Sequence, residues 1–117
     1  MDYDVVIIGG GPSGLSTAIK LAQTFKEKNL DKTICLLEKS AEIGGHILSG
    51  NVFETKALDE LIPDWKEKGA PLDVKVKRDA IKFLINDKYS IPVPSFAMPT
   101  MQNHGNYILS LGNLCRW

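Results

Sequence analysis

The sequence predicts an α/β fold that opens with a parallel βαβ unit and carries an antiparallel β-hairpin at its edge. Residues 4–8 and 33–37 are short apolar runs of the length of a buried strand, and apolar residues between them recur at helical spacing. A glycine-rich turn separates the first run from the helix. Strand, turn, helix and strand within about 38 residues are expected to form a right-handed βαβ unit.

The two predicted strands of this unit have the character of central parallel strands. Residues 4–8 are mostly β-branched and end in glycines, and residues 33–37 form a similar run that ends at Glu38. Such runs are typical of strands that are buried on both faces of a sheet. The apolar positions of the intervening helix share one side: Leu15, Ala18, Ile19, Ala22 and Phe25.

The remaining elements follow from shorter patterns. Residues 41–53 are glycine-rich and predict a loop, and Pro63 ends a short helix over residues 55–62. Residues 72–76 alternate as a half-buried strand does. Residues 81–85 and 89–93 predict a β-hairpin around the polar turn 86–88, with Pro92 confining the second arm to a sheet edge. Residues 107–109 predict a strand, and a helix begins near residue 111.

Composition restricts the function. Fourteen basic residues balance fourteen acidic ones among 117, so no bulk charge favours nucleic acid or an anionic membrane. Cys35 and Cys115 are far apart and no C-x-x-C spacing occurs, so we expect no zinc or iron–sulfur site in this chain and two reduced cysteines. No leader precedes the first strand, so we expect a cytoplasmic start. The helix at the C-terminus lacks a cap, so we expect a fragment of a longer protein.

The glycine motif carries the clearest chemistry. Gly9, Gly11 and Gly14 fit G-x-G-x-x-G, with Pro12 and Ser13 between the last two. We expect the first glycine to allow the turn, the second to let the backbone approach a pyrophosphate, and the third to let helix and strand pack closely. The helix start then offers free N–H groups to the phosphates. The context predicts a Rossmann-like dinucleotide site; the alternative is a glycine turn that binds nothing.

An acidic residue supports this interpretation. Glu38 lies 24 residues after Gly14, close to the offset of about 20 at which an acid accepts hydrogen bonds from the adenosine ribose. A carboxylate there also disfavours a 2′-phosphate, so NADP is not expected. A second glycine-rich segment, residues 44–50, could lie along the extended ligand with Gly45, His46, Ser49 and Gly50; the alternative is an ordinary connecting loop.

Longer motifs resemble a known family. Residues 4–14 (DVVIIGGGPSG), 36–39 (LLEK), 43–50 (IGGHILSG), 63–72 (PDWKEKGAPL), 88–94 (KYSIPVP) and 103–108 (NHGNYI) occur in that order. Together they resemble the start of the electron-transfer flavoprotein–ubiquinone oxidoreductase family. The family usually has alanine where Gly10, Ser13 and Gly45 stand.

The resemblance implies an enzyme that passes electrons from reduced electron-transfer flavoprotein to ubiquinone, with FAD and one 4Fe-4S cluster. It implies a monotopic membrane protein on the cytoplasmic face of a bacterial inner membrane, or on the matrix side in mitochondria. Its cluster cysteines would lie downstream, so this chain alone should be inactive. Residues 1–117 would be the N-terminal part of an FAD-binding domain, with 1–53 as the nucleotide-binding part and Lys39 among the cofactor contacts. We assign no catalytic residue.

The hairpin region, residues 72–99, has a second implied role. In the resembled family the corresponding hairpin helps form a surface that enters the bilayer. The residues assigned to this contact are Phe83, Leu84, Ile85, Tyr89, Ile91 and Val93. The alternative is a hairpin that packs on another part of a longer protein.

Two other functions stay open on the sequence alone. The same FAD fold could serve a related reductase, such as one acting on geranylgeranyl groups, or a flavin monooxygenase. The chain could also be a non-enzymatic nucleotide-binding fragment. A set of downstream cysteines for the cluster would favour the resembled family over the related FAD enzymes. Absence of a flavin spectrum would favour the non-enzymatic fragment.

Overall fold

A computed structural model describes residues 2–117, apart from the side chain of Ser95; the first residue of the predicted range 1–53 lies outside this description. In chain order the elements are β1 (Val5–Ile8), α1 (Pro12–Glu27), β2 (Ile34–Leu37), β3 (Asn51–Phe53), α2 (Lys56–Leu61), β4 (Val74–Lys75), β5 (Ile81–Leu84), β6 (Ser90–Val93), β7 (Tyr107–Leu109) and α3 (Leu111–Arg116). Short 3-10 turns follow β6 at Ser95–Ala97 and Pro99–Met101.

The predicted βαβ unit is confirmed. β1 and β2 are parallel and in register, with Val5 opposite Ile34 and Ile8 opposite Leu37. The helix between them ends where Asn29 adopts a positive φ of 51°, a conformation that asparagine tolerates better than most residues. This unit places the glycine turn at the carboxyl end of β1.

One expectation about these strands is wrong: neither β1 nor its neighbour is buried on both faces. The side chains of Val6, Ile8 and Leu37 are exposed, Ile8 to 87%. They share one face, because successive side chains of a strand alternate. Helix α1 packs on the opposite face, and within residues 2–117 no element covers this one.

A second sheet, with strand order β3–β7–β4, follows the βαβ unit. The prediction of a loop over residues 41–53 is therefore wrong at its end, because Asn51–Phe53 pairs antiparallel with β7. Phe53 lies opposite Tyr107 on the inner face of the sheet. The outer face carries the exposed side chains of Val52, Ile108 and Val74.

The strand predicted over residues 72–76 is shorter in the structure. Only Val74 and Lys75 pair with β7. Leu72 and Val76 are buried while Val74 between them is exposed, so the expected alternation fails. The chain leaves the ladder before Val74, which lets Leu72 reach the core, whereas Val76 stays bonded to the segment before β7, with its N–H donating to Asn106 O at 2.7 Å.

The core lies between this sheet and α2. Four buried residues form it: Leu58, Trp65, Leu72 and Leu109. Trp65 is the most buried, at 4%, and its indole N–H donates to Asp59 Oδ1 at 2.6 Å. Trp65 is therefore a packing anchor of this core.

The predicted hairpin is confirmed. β5 and β6 pair antiparallel with Phe83 opposite Ile91, and within the described residues they pair with no other strand. Asn86 shapes the turn, because its Oδ1 accepts the backbone N–H groups of Lys88 at 2.9 Å and Tyr89 at 3.0 Å.

Candidate functional site

The glycine turn between β1 and α1 has the geometry expected of a phosphate-binding turn. Gly9 has a φ of 107°, a conformation that glycine adopts without steric cost, and its N–H donates to Leu37 O at 2.7 Å. A Cβ on Gly14 would overlap the carbonyl oxygen of Gly9. Helix and turn can therefore approach this closely only because residue 14 lacks a side chain.

The start of α1 leaves backbone donors free for a ligand. Pro12 opens the helix, and Gly11 before it makes no side-chain capping bond. The N–H groups of Ser13 and Gly14 consequently have no acceptor within the helix. No acidic residue lies in the first turn, so nothing there repels an anion.

Gly11 has open space beside it. A Cβ at this position would meet no described protein atom within 4 Å. Its lack of a side chain is therefore not required by contacts within the described chain, and it leaves room over the helix start. The free N–H groups, the positive end of the helix dipole and this space fit the pyrophosphate of a dinucleotide.

Glu38 lies beside the turn and is bonded to it. Its Oε2 accepts the N–H of Gly10 at 2.7 Å, and its Oε1 accepts the N–H of Ser40 at 2.8 Å. Hydrogen bonds from Ser40 and then Gly10 hold the pKa of the Glu38 carboxyl below its ordinary value, and His46 lowers it further by its charge. The carboxylate is thus ionised at neutral pH and ready to accept further hydrogen bonds.

The second glycine segment lies next to this carboxylate. His46 is close enough to influence the pKa of Glu38. Gly45, His46, Ser49 and Gly50 are all exposed, as is Lys39. The structure therefore brings the start of the segment beside the turn and leaves the remaining assigned groups open to solvent.

Two residues of the site were not predicted. Gly10 donates the N–H that Glu38 accepts, and a Cβ on Gly10 would overlap Cδ1 of Ile43. Gly10 occupies a variable position of the glycine motif, so the motif gave no reason to select it. One feature of the sequence could have identified Ile43: it is the sole large apolar residue between Glu38 and Gly44.

An apolar cleft of about 910 Å³ opens beside the helix start. Helices α1, α2 and α3 line it, with Pro12 and Ser13 at one side. The apolar part of its wall comes from side chains that include Leu15, Ile19, Leu61, Ile62, Leu111 and Leu114. The cleft therefore borders the first residues of α1.

The residues assigned to membrane contact occupy the hairpin as expected from their order. Phe83, Leu84, Ile85, Tyr89 and Ile91 are exposed, with Phe83 at 65%. Val93 is half-buried and lies opposite Ile81 at the base of the hairpin.

The side chains that could ligate a metal are not clustered within residues 2–117. Within that part of the chain, no group of three or more His, Cys, Asp or Glu side chains is arranged to hold a metal ion. Its helices are also too short or too polar to traverse a bilayer.

Comparison with known proteins agrees with the geometry. Residues 7–65 match the family described as NAD(P)-binding Rossmann-like domain. The chain is 54% identical over 118 residues to an electron transfer flavoprotein-ubiquinone oxidoreductase of Pseudomonas aeruginosa, which covers 100% of this chain and 21% of that protein. The mitochondrial proteins of that name from Dictyostelium discoideum and Bos taurus are 55% and 52% identical over 116 residues each, covering 98% and 99% of this chain.

These matches fix the place of the chain within its relatives. It spans about a fifth of their length: 21% in Pseudomonas aeruginosa, 18% in Dictyostelium discoideum and 19% in Bos taurus. The matched region is N-terminal, and the relatives are named as oxidoreductases. The glycine turn, the helix start and Glu38 all lie within the family match. The chain therefore belongs to the NAD(P)-binding Rossmann-like domain family and is similar to the N-terminal region of proteins named electron transfer flavoprotein-ubiquinone oxidoreductase.

Proposed function

We propose that this chain is the FAD-binding N-terminal part of an oxidoreductase that passes electrons from reduced electron-transfer flavoprotein to ubiquinone. The observation that carries the proposal is the helix start, where the N–H groups of Ser13 and Gly14 are free beneath the open space at Gly11. The names of the relatives supply the donor and the acceptor.

The residues of this chain bind and orient the cofactor. The N–H groups of Ser13 and Gly14 hold the pyrophosphate at the positive end of α1. Glu38 accepts hydrogen bonds from the ribose hydroxyls through lone pairs that its bonds to Gly10 and Ser40 leave available. Its negative charge would repel a 2′-phosphate, which favours FAD or NAD over NADP.

The second glycine segment follows the ligand away from the adenosine. Gly50 offers a backbone N–H group and Ser49 offers a hydroxyl, while Gly45, whose N–H is bonded to Glu42 O, lets the backbone approach the ligand closely. His46 is close enough to lower the pKa of Glu38 and would contribute an imidazole near the cofactor. Bound FAD supplies two-electron and one-electron redox chemistry, which the side chains of this chain do not provide. A 4Fe-4S cluster would be held outside these 117 residues.

The hairpin would seat the protein on a membrane surface. Cross-strand pairing puts Phe83 and Ile91 next to each other on one face, and Ile85 and Tyr89 continue that face toward the turn, where Ile85 N–H donates to Tyr89 O at 3.0 Å. Burying each such side chain in lipid would contribute about 1.5–3 kcal/mol. We place this contact on the cytoplasmic face of a bacterial inner membrane, or on the matrix side of the mitochondrial one.

A substitution at Gly11 tests the cofactor site. In the full-length polypeptide, Gly11→Val would place its Cβ in open space, with no described atom beyond its chain neighbours within 4 Å, so the fold should persist while FAD is excluded. The matched control is Thr17→Val, which puts valine at an exposed position one turn into α1 and removes only the hydroxyl that donates to Ser13 O.

Flavin absorbance near 450 nm and FAD titration of the apo-protein are the measurements. We expect wild type and Thr17→Val to bind FAD and to reduce ubiquinone with reduced electron-transfer flavoprotein, and Gly11→Val to lose both properties at unchanged thermal stability. Full FAD affinity in Gly11→Val would refute the site. Flavin binding without electron transfer from that donor in wild type would refute the activity.

A further inference from the structure

Gly44 and Gly112 make a backbone-to-backbone contact that links the second glycine segment to α3. A Cβ on Gly44 would lie 2.8 Å from Gly112 Cα, and a Cβ on Gly112 would lie 2.9 Å from Gly44 O. Both glycines are buried. Real Cβ atoms do not approach other atoms this closely, so the contact exists only because both residues lack a side chain.

The stretch of chain that contains Gly112 also holds the other end of the second glycine segment. Asn51, the first residue after it, pairs with Leu109 in the β3–β7 ladder. Strand β7 is followed directly by α3, in which Gly112 is the second residue. Residues 44–50 are therefore fixed at one end by β7 and at the other by α3.

The conformation of Gly112 does not by itself require glycine. It lies within the helix Leu111–Arg116, and its φ is not in the left-handed region that favours glycine. Glycine is one of the weakest helix formers, so the helix itself would be more stable with alanine. Close approach to Gly44 is the contact that accounts for glycine at this position.

A second link joins the same two parts of the chain. Arg116 Nη1 lies 3.6 Å from Glu42 Oε2, and Arg116 Nε donates to Gly112 O at 3.4 Å. The ion pair is solvent-exposed and contributes little by itself. It lies one turn from the glycine contact and orients α3 toward residues 42–44.

We propose that Gly112 is a positioning residue for the cofactor: by admitting Gly44, it sets the second glycine segment against the part of FAD beyond the pyrophosphate. The proposal rests on the proposed function, in which Gly45, Ser49 and Gly50 contact the ligand. The three atoms nearest to a Cβ on Gly112 belong to Gly44 and Arg116, so its influence would act through the second glycine segment on the far part of the ligand.

Comparing the binding of ADP with the binding of FAD tests whether Gly112 affects only the far part of the ligand. ADP carries the adenosine ribose and a diphosphate, so it would engage Glu38 and the helix start alone, whereas FAD also requires the second segment. In the full-length apo-protein, we expect Gly112→Ala to weaken FAD binding by about tenfold or more, the size that overpacking by one methyl group produces. ADP affinity should stay within about twofold of wild type. The matched control is Asn113→Ala, which changes the exposed neighbour on α3 and should leave both affinities unchanged.

Each other outcome overturns the proposal. Equal FAD affinity in Gly112→Ala and wild type would show that the contact does not position the segment. An equal loss of ADP and FAD affinity would show a general structural role. If wild type itself binds no FAD, the proposed function fails, and that failure is visible without any variant.

Hydrogen exchange on the wild-type apo-protein covers the case in which Gly112→Ala does not fold. In the structure Gly45 N–H donates to Glu42 O and Ile47 N–H donates to Gly44 O, each at 3.1 Å. A segment positioned before FAD arrives should protect these two amides from exchange. Exchange at the rate of an unstructured peptide would overturn the proposal.

Discussion

Glu38 accepts a hydrogen bond from the backbone N–H of Gly10 at 2.7 Å, so the end of β2 is tied directly to the glycine turn. The other carboxylate oxygen accepts the N–H of Ser40 at 2.8 Å. A carboxylate has about four lone-pair sites, so both oxygens can still accept a ligand hydroxyl. One side chain can thus shape the turn before the ligand arrives and hold the sugar afterwards.

Replacing Glu38 by glutamine tests this double role. Glutamine has one acceptor oxygen, so Glu38→Gln turns an N–H donor toward either Gly10 or Ser40. Hydrogen bonds to charged groups contribute about 1.5–3 kcal/mol each, so we expect FAD affinity to fall about ten- to hundredfold. FAD titration of the full-length apo-protein measures the effect, with Glu54→Gln as an exposed control. Unchanged affinity in Glu38→Gln would remove Glu38 from the site.

Asp4, at the start of the β1–β2 sheet, should make the stability of the protein depend on pH in acid. The hydrogen bond from Lys32, followed by those from Thr33, lowers the pKa of Asp4 from 3.8 to about 2. The unfolded chain therefore takes up this proton at a higher pH than the folded chain does. The stabilisation from Asp4 is complete above pH 3.8 and is lost as pH falls toward about 2.

Thermal melting of Asp4→Asn against wild type measures this contribution. We expect the difference in Tm to be constant at mildly acidic pH and to shrink between the two pKa values, because protonation removes in wild type what the substitution has already removed. Asp87→Asn in the hairpin turn is the control. A difference in Tm that does not change with pH across this window would contradict the assignment.

Gly10 and Ile43 should show coupled effects. A methyl group on Gly10 would overlap Cδ1 of Ile43, the end of a flexible side chain. We expect Gly10→Ala alone to cost about 1–3 kcal/mol of unfolding free energy by overpacking. Ile43→Val removes that Cδ1 atom and alone should cost about 0.5–1.5 kcal/mol.

The double variant decides between coupling and independence. Because the valine makes room for the methyl group, Gly10→Ala with Ile43→Val should be more stable than the sum of the two single effects predicts. Denaturant unfolding of all four proteins gives the coupling free energy. Strict additivity would mean that Ile43 moves aside without cost.

The apolar face of the hairpin should bind neutral lipid. We expect Phe83→Ser with Ile91→Ser to reduce the fraction of full-length protein that floats with phosphatidylcholine vesicles by at least tenfold, since each side chain would contribute about 1.5–3 kcal/mol. The matched control is Val74→Ser with Ile108→Ser, a cross-strand pair of exposed apolar residues on the other antiparallel sheet. Binding should survive high salt, because it does not depend on net charge. Equal flotation of both double variants would assign the hairpin to another contact.

Local sequence carried enough information for the βαβ unit and the hairpin. The glycine motif fixes a turn whose conformation only glycine adopts easily, as the φ of Gly9 shows. Asn86 closes the hairpin through its own side chain, whose Oδ1 accepts the backbone N–H groups two and three residues later, so no distant residue is needed. In both cases the structural cause lies within a few residues of its effect.

Distant contacts account for what the sequence did not predict. Strand Asn51–Phe53 forms against β7, more than fifty residues later, and three residues are too few to show an alternating pattern. The bond from Gly10 to Glu38 likewise depends on how β2 lies beside the turn. The apolar composition of β1 indicated burial on both faces, whereas residues 2–117 cover one of them.

The bare sheet surface at Val6, Ile8 and Leu37 has a consequence for anyone who prepares these 117 residues by themselves. Beside that surface, β1 also has an unpaired edge within the described chain, so a second copy could add its own strand there and bury apolar area at the same time. Molar mass measured by light scattering should then rise with protein concentration. Dilution, or a small amount of non-ionic detergent, would return the preparation to single molecules.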